Sequence, residues 1–294
     1  MTDLPKLAVI GAGTMGAGIA GVFARLGYEV ALFSRSAATL DKAREALGEA
    51  AAGIRFSTEL ESCLEGAGAV SENVAEELEL KRALFSRIEA QVPDDCLLTT
   101  NTSSVPIGAI AAEMTRPERL VGLHWFNPPA VMPLVEIVRG PQTAEHVVER
   151  ARALCGAIGK ETIEVATDLP GFVINRLQYA ILREALHLVE SGVATIRDVD
   201  RAVETTLAPR WCAAGPLRLM DLAGLDTVAK VAAVLMPALH ADGGVPPLVA
   251  RLAGEGAFGT KSGRGFYEWT DEASTATKAE RDAIVTLLTE RRRA

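Results

Sequence analysis

Gly11, Gly13 and Gly16, with Thr14 and Met15 between the last two, follow directly on the apolar run Leu7 to Ile10 and open the helical run Ala17 to Leu26. A strand that must pass at once into a helix has few solutions. Gly11 permits the tight turn, Gly13 lets backbone amides approach a ligand, and Gly16 lets the helix pack closely on the strand. Gly27 stops the helix and Val30 to Phe33 starts a second strand, so the segment reads as a βαβ unit whose helix N-terminus offers unpaired N–H groups to an anion. That context predicts a dinucleotide pyrophosphate on the turn; a merely structural glycine turn is the competing reading.

The rest of the chain extends the pattern and then abandons it. Further candidate strands are Ile54 to Ser57, Ala69 to Glu72, Leu97 to Thr100, Leu120 to His124, Leu134 to Val138 and Thr162 to Val165. Helical patterns lie between most of them, notably Glu77 to Gln91 and Ala144 to Ile158. Such alternation predicts an α/β domain, a mostly parallel sheet with helices on both faces. After Asp168-Leu169-Pro170-Gly171 the pattern turns helical, with Phe172 to Gly192 as one long helix, Asp198 opening the next, and a break at Gly215-Pro216. A glycine-rich segment, FGTKSGRGFYEW, precedes a polar helix whose closing arginines, Arg291 to Arg293, suit a solvated helix terminus. Two domains are expected: 1–168, binding the dinucleotide, and 169–294, all-helical.

Composition narrows the partners. With a formal charge of -8 across 294 residues, nothing clusters the Lys and Arg that a nucleic acid or an anionic membrane demands. No apolar stretch is long enough to span a bilayer, and the opening residues MTDLP show no basic leader or signal core, so a cytoplasmic protein acting on small molecules is expected. Cys63, Cys96, Cys155 and Cys212 lack metal or redox spacing and read as reduced and mostly packed, with Cys212 in a loop-like segment beside Trp211. No metal site is expected.

At the end of the second strand, where an acidic residue would hold the adenosine ribose, the chain has Ser34, Arg35 and Ser36. Loss of the carboxylate removes repulsion of a 2'-phosphate, and an arginine with hydroxyl neighbours can embrace one. Within NAD(P), NADP(H) is therefore favoured over NAD(H); the alternative is that Arg35 points to solvent.

The chemistry concentrates in LVGLHWFNPPAVMPLVEIV, Leu120 to Val138. His124 ends one apolar run, Glu136 sits inside the next, and a turn carrying Pro128 and Pro129 can bring them together. Thr100-Asn101-Thr102-Ser103-Ser104 falls at the carboxyl edge of the sheet, where ligands of open parallel sheets bind. Ser103, His124 and Glu136 then offer a hydroxyl, a titratable base and an orienting carboxylate. Each has a structural alternative: a helix cap, a core histidine, an edge-strand glutamate.

Together with GAGTMGAGIA, NTSS, HWFNPP leading to PLVEIV, DLPGFVINRLQ, GPLRLMDLAGLD and KSGRGFY, these residues make the chain resemble the 3-hydroxyacyl-CoA dehydrogenase family over nearly its whole length. The resemblance implies a Rossmann domain followed by a helical domain that dimerises. It implies His124 as catalytic base with Glu136 as its partner, Ser103 as donor to the substrate oxygen and Asn175 as a second positioning residue. It also places Glu76, Lys81, Ser103, Asn127 and Lys261 around the cofactor. The reaction implied is reversible oxidation of an alcohol β to a carbonyl, with hydride passing to nicotinamide.

The chain departs from that family in two places. Ser34 replaces the acidic cofactor residue, and only Ser34 to Arg55 separate the second and third strands, where acyl-CoA enzymes carry a longer arm gripping the CoA nucleotide. The substrate expected is thus a hydroxy acid, a carrier-bound hydroxyacyl group or a heterocyclic alcohol ahead of a CoA thioester, although CoA can be held by other surfaces. NRLQYAI and HWFNPP also resemble the branch acting on gulonate, carnitine or pyridine carboxylates. Competing functions are a Ser-His-Glu hydrolase, which lacks a nucleophile elbow, and a nucleotide-binding sensor without turnover.

Overall fold

A computed structural model describes residues 6–293, in two compact units, Met1–Arg176 and Leu177–Ala294. The expected absence of a leader rests on residues 1–5, which lie outside the described residues.

The first unit is built by β1 (Leu7–Ile10), α1 (Thr14–Arg25), β2 (Val30–Phe33), α2 (Ala37–Leu47), β3 (Ile54–Ser57), α3 (Leu60–Leu64), β4 (Ala69–Glu72), α4 (Leu78–Glu89), β5 (Leu97–Thr100), α5 (Ile107–Ala111), β6 (Leu120–Trp125), β7 (Leu134–Val138), α6 (Glu145–Ala157) and β8 (Glu161–Val165). One eight-stranded sheet runs β3-β2-β1-β4-β5-β6-β7-β8. Its first six strands are parallel; β7 turns back antiparallel to β6, and β8 runs parallel to β7. The order 3-2-1-4-5-6 is that of the doubly wound nucleotide-binding fold, so the carboxyl ends of the parallel strands share one edge with the glycine turn.

Both faces are sealed, as expected for near-continuous apolar strands. Val9, Leu32, Val121, Leu123 and Val135 pack with α1 and α6 on one side, and Ile10, Val70, Leu98 and Leu120 pack with α4 and α5 on the other. The connection between β2 and β3 runs from Ser34 to Gly53, since β3 already begins at Ile54; its helix α2 is only 11 residues long.

The expected boundary at 168/169 lies before the end of the first unit, which runs on to Arg176. Phe172 is buried in the second of the two cores, and the next two backbone N–H groups are bound to a carboxylate of β7, so the chain stays with the sheet through the first turn of α7 (Ile174–Glu190).

The second unit takes up the rest of α7 and adds α8 (Ile196–Ala202), α9 (Ala208–Ala213), α10 (Pro216–Ala223), α11 (Leu225–Leu235), α12 (Pro247–Gly254) and α13 (Asp271–Arg293). Thr195 caps α8 by accepting from the N–H of Asp198, so that helix begins before Asp198 and not at it. Cys212 stands on α9 and not in a loop, and it is exposed; the other three cysteines are buried. Among its described residues only Leu186, Ala257 and Ser274 are buried, while Leu217 is 83% and Leu222 77% exposed. Among the described residues no helix is long and apolar enough to cross a membrane.

Candidate active site

Residue parity explains why a histidine and a glutamate occupy two core strands. Side chains alternate faces along a strand, so His124 shares a face with Leu120 and Gly122 on β6, and Glu136 shares it with Leu134 and Val138 on β7. The antiparallel register places His124 directly opposite Glu136. His124 Nδ1 lies 2.6 Å from Glu136 Oε2, and Glu136 has no accessible surface. A carboxylate buried so completely needs every lone pair occupied. Its other oxygen accepts the N–H groups of Val173 at 3.0 Å and Ile174 at 2.9 Å, at the start of α7, whose dipole favours negative charge there.

The same segment carries strained backbone. Phe172 has φ of 47°, a left-handed conformation uncommon for a bulky residue, and its ring lies 5.4 Å from the His124 ring, with Phe126 at 4.7 Å on another side. Strain of about 1–3 kcal/mol persists where the surroundings over-determine it. Here it brings two amides onto Glu136 and an apolar wall onto His124. His124 is 5% exposed, and Nε2 is the ring nitrogen left for a ligand: it has no partner among the described residues, yet it is not a sealed, unpaired atom.

A second group of polar residues surrounds the NTSS loop. Glu76 Oε1 accepts from the N–H of Ser103 at 2.6 Å, the N–H of Ser104 at 3.2 Å, and the hydroxyls of Thr102 at 2.9 Å and Ser103 at 3.0 Å. Burial pushes Glu76 up, but these hydrogen bonds and the Lys81 ammonium 3.2 Å away outweigh it and hold the carboxyl below its usual range. The Ser103 proton is thus engaged with Glu76, where the resemblance implied a donor to the substrate oxygen. Lys81, expected around the cofactor, is 1% exposed and held between Glu72 and Glu76.

The glycine turn passes a physical test for the group its motif implies. A Cβ on Gly16 would fall 1.8 Å from Gly11 O and one on Gly11 2.5 Å from Asn73 O, so the protein itself demands those two glycines. A Cβ on Gly13 would meet nothing within 4 Å. Gly13 is the N-cap of α1, without a side-chain cap and without an acidic residue in the first turn, which leaves room and donors for a diphosphate. Beside it, a cleft of about 380 Å³ is floored by Phe33, Leu60, Val74 and Leu84, with Arg35 and Arg87 among its charged residues. The residues present fit an adenine dinucleotide.

The remaining expected residues are dispersed. Ser34 accepts from the N–H of Ser36, Arg35 is exposed, and Asn127 is exposed just beyond β6. Asn175 sits in the first turn of α7, half-buried, its side chain without a hydrogen bond among the described residues. Lys261 belongs to the second unit, exposed in the turn closed by the Gly259 N–H donating to Arg264 O.

Sequence reasoning missed Glu72, Asn73, Asn101 as a link, and the amides of Val173 and Ile174. Asn101 donates to Asn73 Oδ1 at 2.9 Å and accepts from the N–H of Trp125 at 2.8 Å, tying the residue after His124 to the loop that packs on Gly11. A signal for Glu72 did exist: a carboxylate closing an otherwise buried strand, the same anomaly that exposes Glu136.

Ser103 meets Glu76 and not His124, so the nucleophile–base contact of a hydrolase is not formed among the described residues, and neither the hydrolase nor the silent-sensor reading is supported. Comparison with known proteins agrees. Residues 6–169 match the family model for the 3-hydroxyacyl-CoA dehydrogenase NAD binding domain, and residues 171–269 match that for the 3-hydroxyacyl-CoA dehydrogenase C-terminal domain. The chain is 37% identical to the 5-formyl-3-hydroxy-2-methylpyridine 4-carboxylate 5-dehydrogenase of Mesorhizobium japonicum, covering 94% of each chain. It is 38% identical to a 3-hydroxybutyryl-CoA dehydrogenase of Mycobacterium tuberculosis, over 92% of this chain and all of that one. A crystal structure of a 5-formyl-3-hydroxy-2-methylpyridine 4-carboxylic acid 5-dehydrogenase, described as an NAD+ dependent dismutase, superposes with a TM-score of 0.91 at 35% identity over 97% of both chains. A glycine turn at an open helix end, a histidine buried against a carboxylate, and two family models in order over most of the sequence lead to one assignment: the chain belongs to the 3-hydroxyacyl-CoA dehydrogenase family of NAD-dependent oxidoreductases.

Proposed function

We propose that the protein reversibly oxidises a β-hydroxy group of a hydroxy acid or hydroxyacyl thioester, with His124 as the base. The observation that carries this reading is the 2.6 Å contact between His124 Nδ1 and a fully buried Glu136. With Glu136 ionised, the Nδ1 proton lies in that contact and Nε2 presents its lone pair to the substrate hydroxyl. As the imidazole takes the proton, Glu136 and the two amides behind it balance the new charge. Bound nicotinamide supplies the hydride acceptor. Ser103 and Asn175 orient the alcohol. Gly11, Gly13, Thr14, Met15 and Gly16 carry the pyrophosphate; Glu76 and Asn127 complete the cofactor site on the first unit, with Lys81 acting through Glu76.

Two finer choices follow. Arg35 with Ser34 and Ser36 supports acceptance of a 2'-phosphate, hence NADP(H) ahead of NAD(H). The short connection carrying α2, and the 0.91 superposition on an enzyme named for a pyridine carboxylate, support a free or carrier-bound hydroxy acid or heterocyclic alcohol ahead of a CoA thioester. The exposed apolar faces of α10 and α11 support a homodimer, and the formal charge of -8 supports a cytoplasmic small-molecule protein over one with nucleic-acid or anionic-membrane partners.

Nicotinamide absorbance followed with both cofactors across acetoacetyl-CoA, free hydroxy acids and pyridine alcohols tests the cofactor and substrate choices together with the reading they rest on. Turnover of a free acid with NADPH above NADH is the expected result. Efficient turnover of the CoA ester alone overturns the substrate choice, a strong NADH preference overturns the cofactor choice, and no hydride transfer with any alcohol overturns the reading itself.

A further inference from the structure

Glu72 has no part in the mechanism above, yet it is among the most elaborately held side chains of the first unit. It ends β4 at the carboxyl edge, in register with Thr100 on β5, and has no accessible surface. Oε1 accepts from the N–H of Val74 at 2.6 Å and from Lys81 Nζ at 2.9 Å; Oε2 accepts from Thr100 Oγ1 at 2.6 Å and from the same ammonium at 3.0 Å. Replacing a buried ion pair by well-packed apolar residues is often neutral or stabilising, so fold stability alone gives no reason for this one.

Its geometric effect is specific. Glu72 fixes the Lys81 ammonium from below, and the ammonium in turn faces Glu76 Oε2 at 3.2 Å. Glu76 Oε1 gathers the amides and hydroxyls of residues 102–104. Thr100, the residue Glu72 holds directly, leads into the same loop, and the N–H of Thr102 donates back to Thr100 Oγ1 at 3.3 Å. The Ser103 loop is therefore held from both ends by one buried carboxylate. Neutralising Glu72 leaves Lys81 with Glu76 as its sole carboxylate and draws that charge away from the Ser103 and Ser104 amides.

We propose that Glu72 is a positioning residue that sets the Ser103 hydroxyl through Lys81, Glu76 and Thr100, without itself touching substrate or cofactor. The inference rests on the reading of Ser103 as a residue of the alcohol site. A double-mutant cycle on the full-length protein separates the two. Glu72→Gln is expected to lower kcat/KM by about 10- to 100-fold, the scale on which small misplacements act, and Thr100→Val by less. In a Ser103→Ala background the same Glu72→Gln change is expected to cost under about twofold, because the group it positions is gone. Equal losses in both backgrounds, or a lowered Tm with unchanged kcat/KM of the folded protein, overturn the inference while leaving the reading of Ser103 intact. Wild-type kcat/KM in Ser103→Ala alone overturns both. If Glu72→Gln does not fold, the Thr100→Val cycle decides by the same criterion, since that nearly isosteric change removes the hydrogen bonds of one hydroxyl, to Glu72 and from the Thr102 N–H, and no charge.

Discussion

The sheet unit and the helical unit solve the same burial problem in opposite ways. In the first, helices cover both faces of a continuous sheet, and even two carboxylates, a lysine and a histidine are buried with their partners. In the second, helices of comparable apolar content leave Leu217, Leu222, Val234 and Met236 largely in solvent. A sealed unit holds reacting groups to fractions of an ångström, which proton transfer needs. Under the homodimer proposed above, a second copy would supply the surface that covers the exposed apolar side chains of the open one.

The largest effects should come from breaking the sealed unit at its polar centre. His124→Ala is expected to lower kcat by about a thousandfold, within the range for removing a general base, with Tm and cofactor affinity nearly unchanged. Glu136→Gln keeps the size of the side chain and removes the charge, so a comparable loss in kcat is expected. Retained turnover in either variant would erase the distinction between this centre and an ordinary core.

In the open unit a surface substitution should behave like a core one. Leu217→Glu and Leu222→Glu each remove about 2 kcal/mol of apolar burial if those positions are covered by a partner copy, or about 30-fold in the dimer dissociation constant. Sedimentation across a dilution series reads the shift; identical behaviour of variant and parent would show that nothing covers the face.

Thiol chemistry sharpens the contrast further. Burial pushes Cys63, Cys96 and Cys155 each up to about 12, so only Cys212, exposed on α9, should react with a thiol reagent in the native state. The other three are expected to label at the rate of unfolding.

The smallest effect concerns acid. The folded-state pKa of Glu76 lies below its ordinary 4.5, so its contribution is present above that value and is lost as pH falls from about 4.5 through the folded-state value. Glu76→Gln should therefore lower stability at neutral pH, where that contribution is fully present, and flatten the acid limb so that variant and parent converge below the folded-state value; an unchanged acid limb would remove Glu76 from the account.

Much of the first unit was legible because its signals are local. Short apolar runs punctuated by glycine and proline predict the eight strands to within a residue, and an apolar run interrupted by one glutamate marks β7. The partners of the polar residues were less so. That the Ser103 proton goes to Glu76, and that the amides of Val173 and Ile174 serve Glu136, depend on residues 27 to 38 positions apart in sequence and on a backbone turn forced through Phe172; that Lys81 turns inward to be sealed between Glu72 and Glu76 depends on how α4 packs against β4. Periodicity carries no information about such distances.

The order of residues alone determined the glycine turn, the α/β alternation and the choice of His124 and Glu136 as the candidate pair. Each is set by conformational preference or by side-chain parity within a few residues. Tertiary structure decided which charges are buried, which hydroxyl is donor and which carboxylate holds which loop. Those follow from desolvation: once a polar atom leaves water it must take whatever partner the fold brings within reach, and only packing chooses that partner.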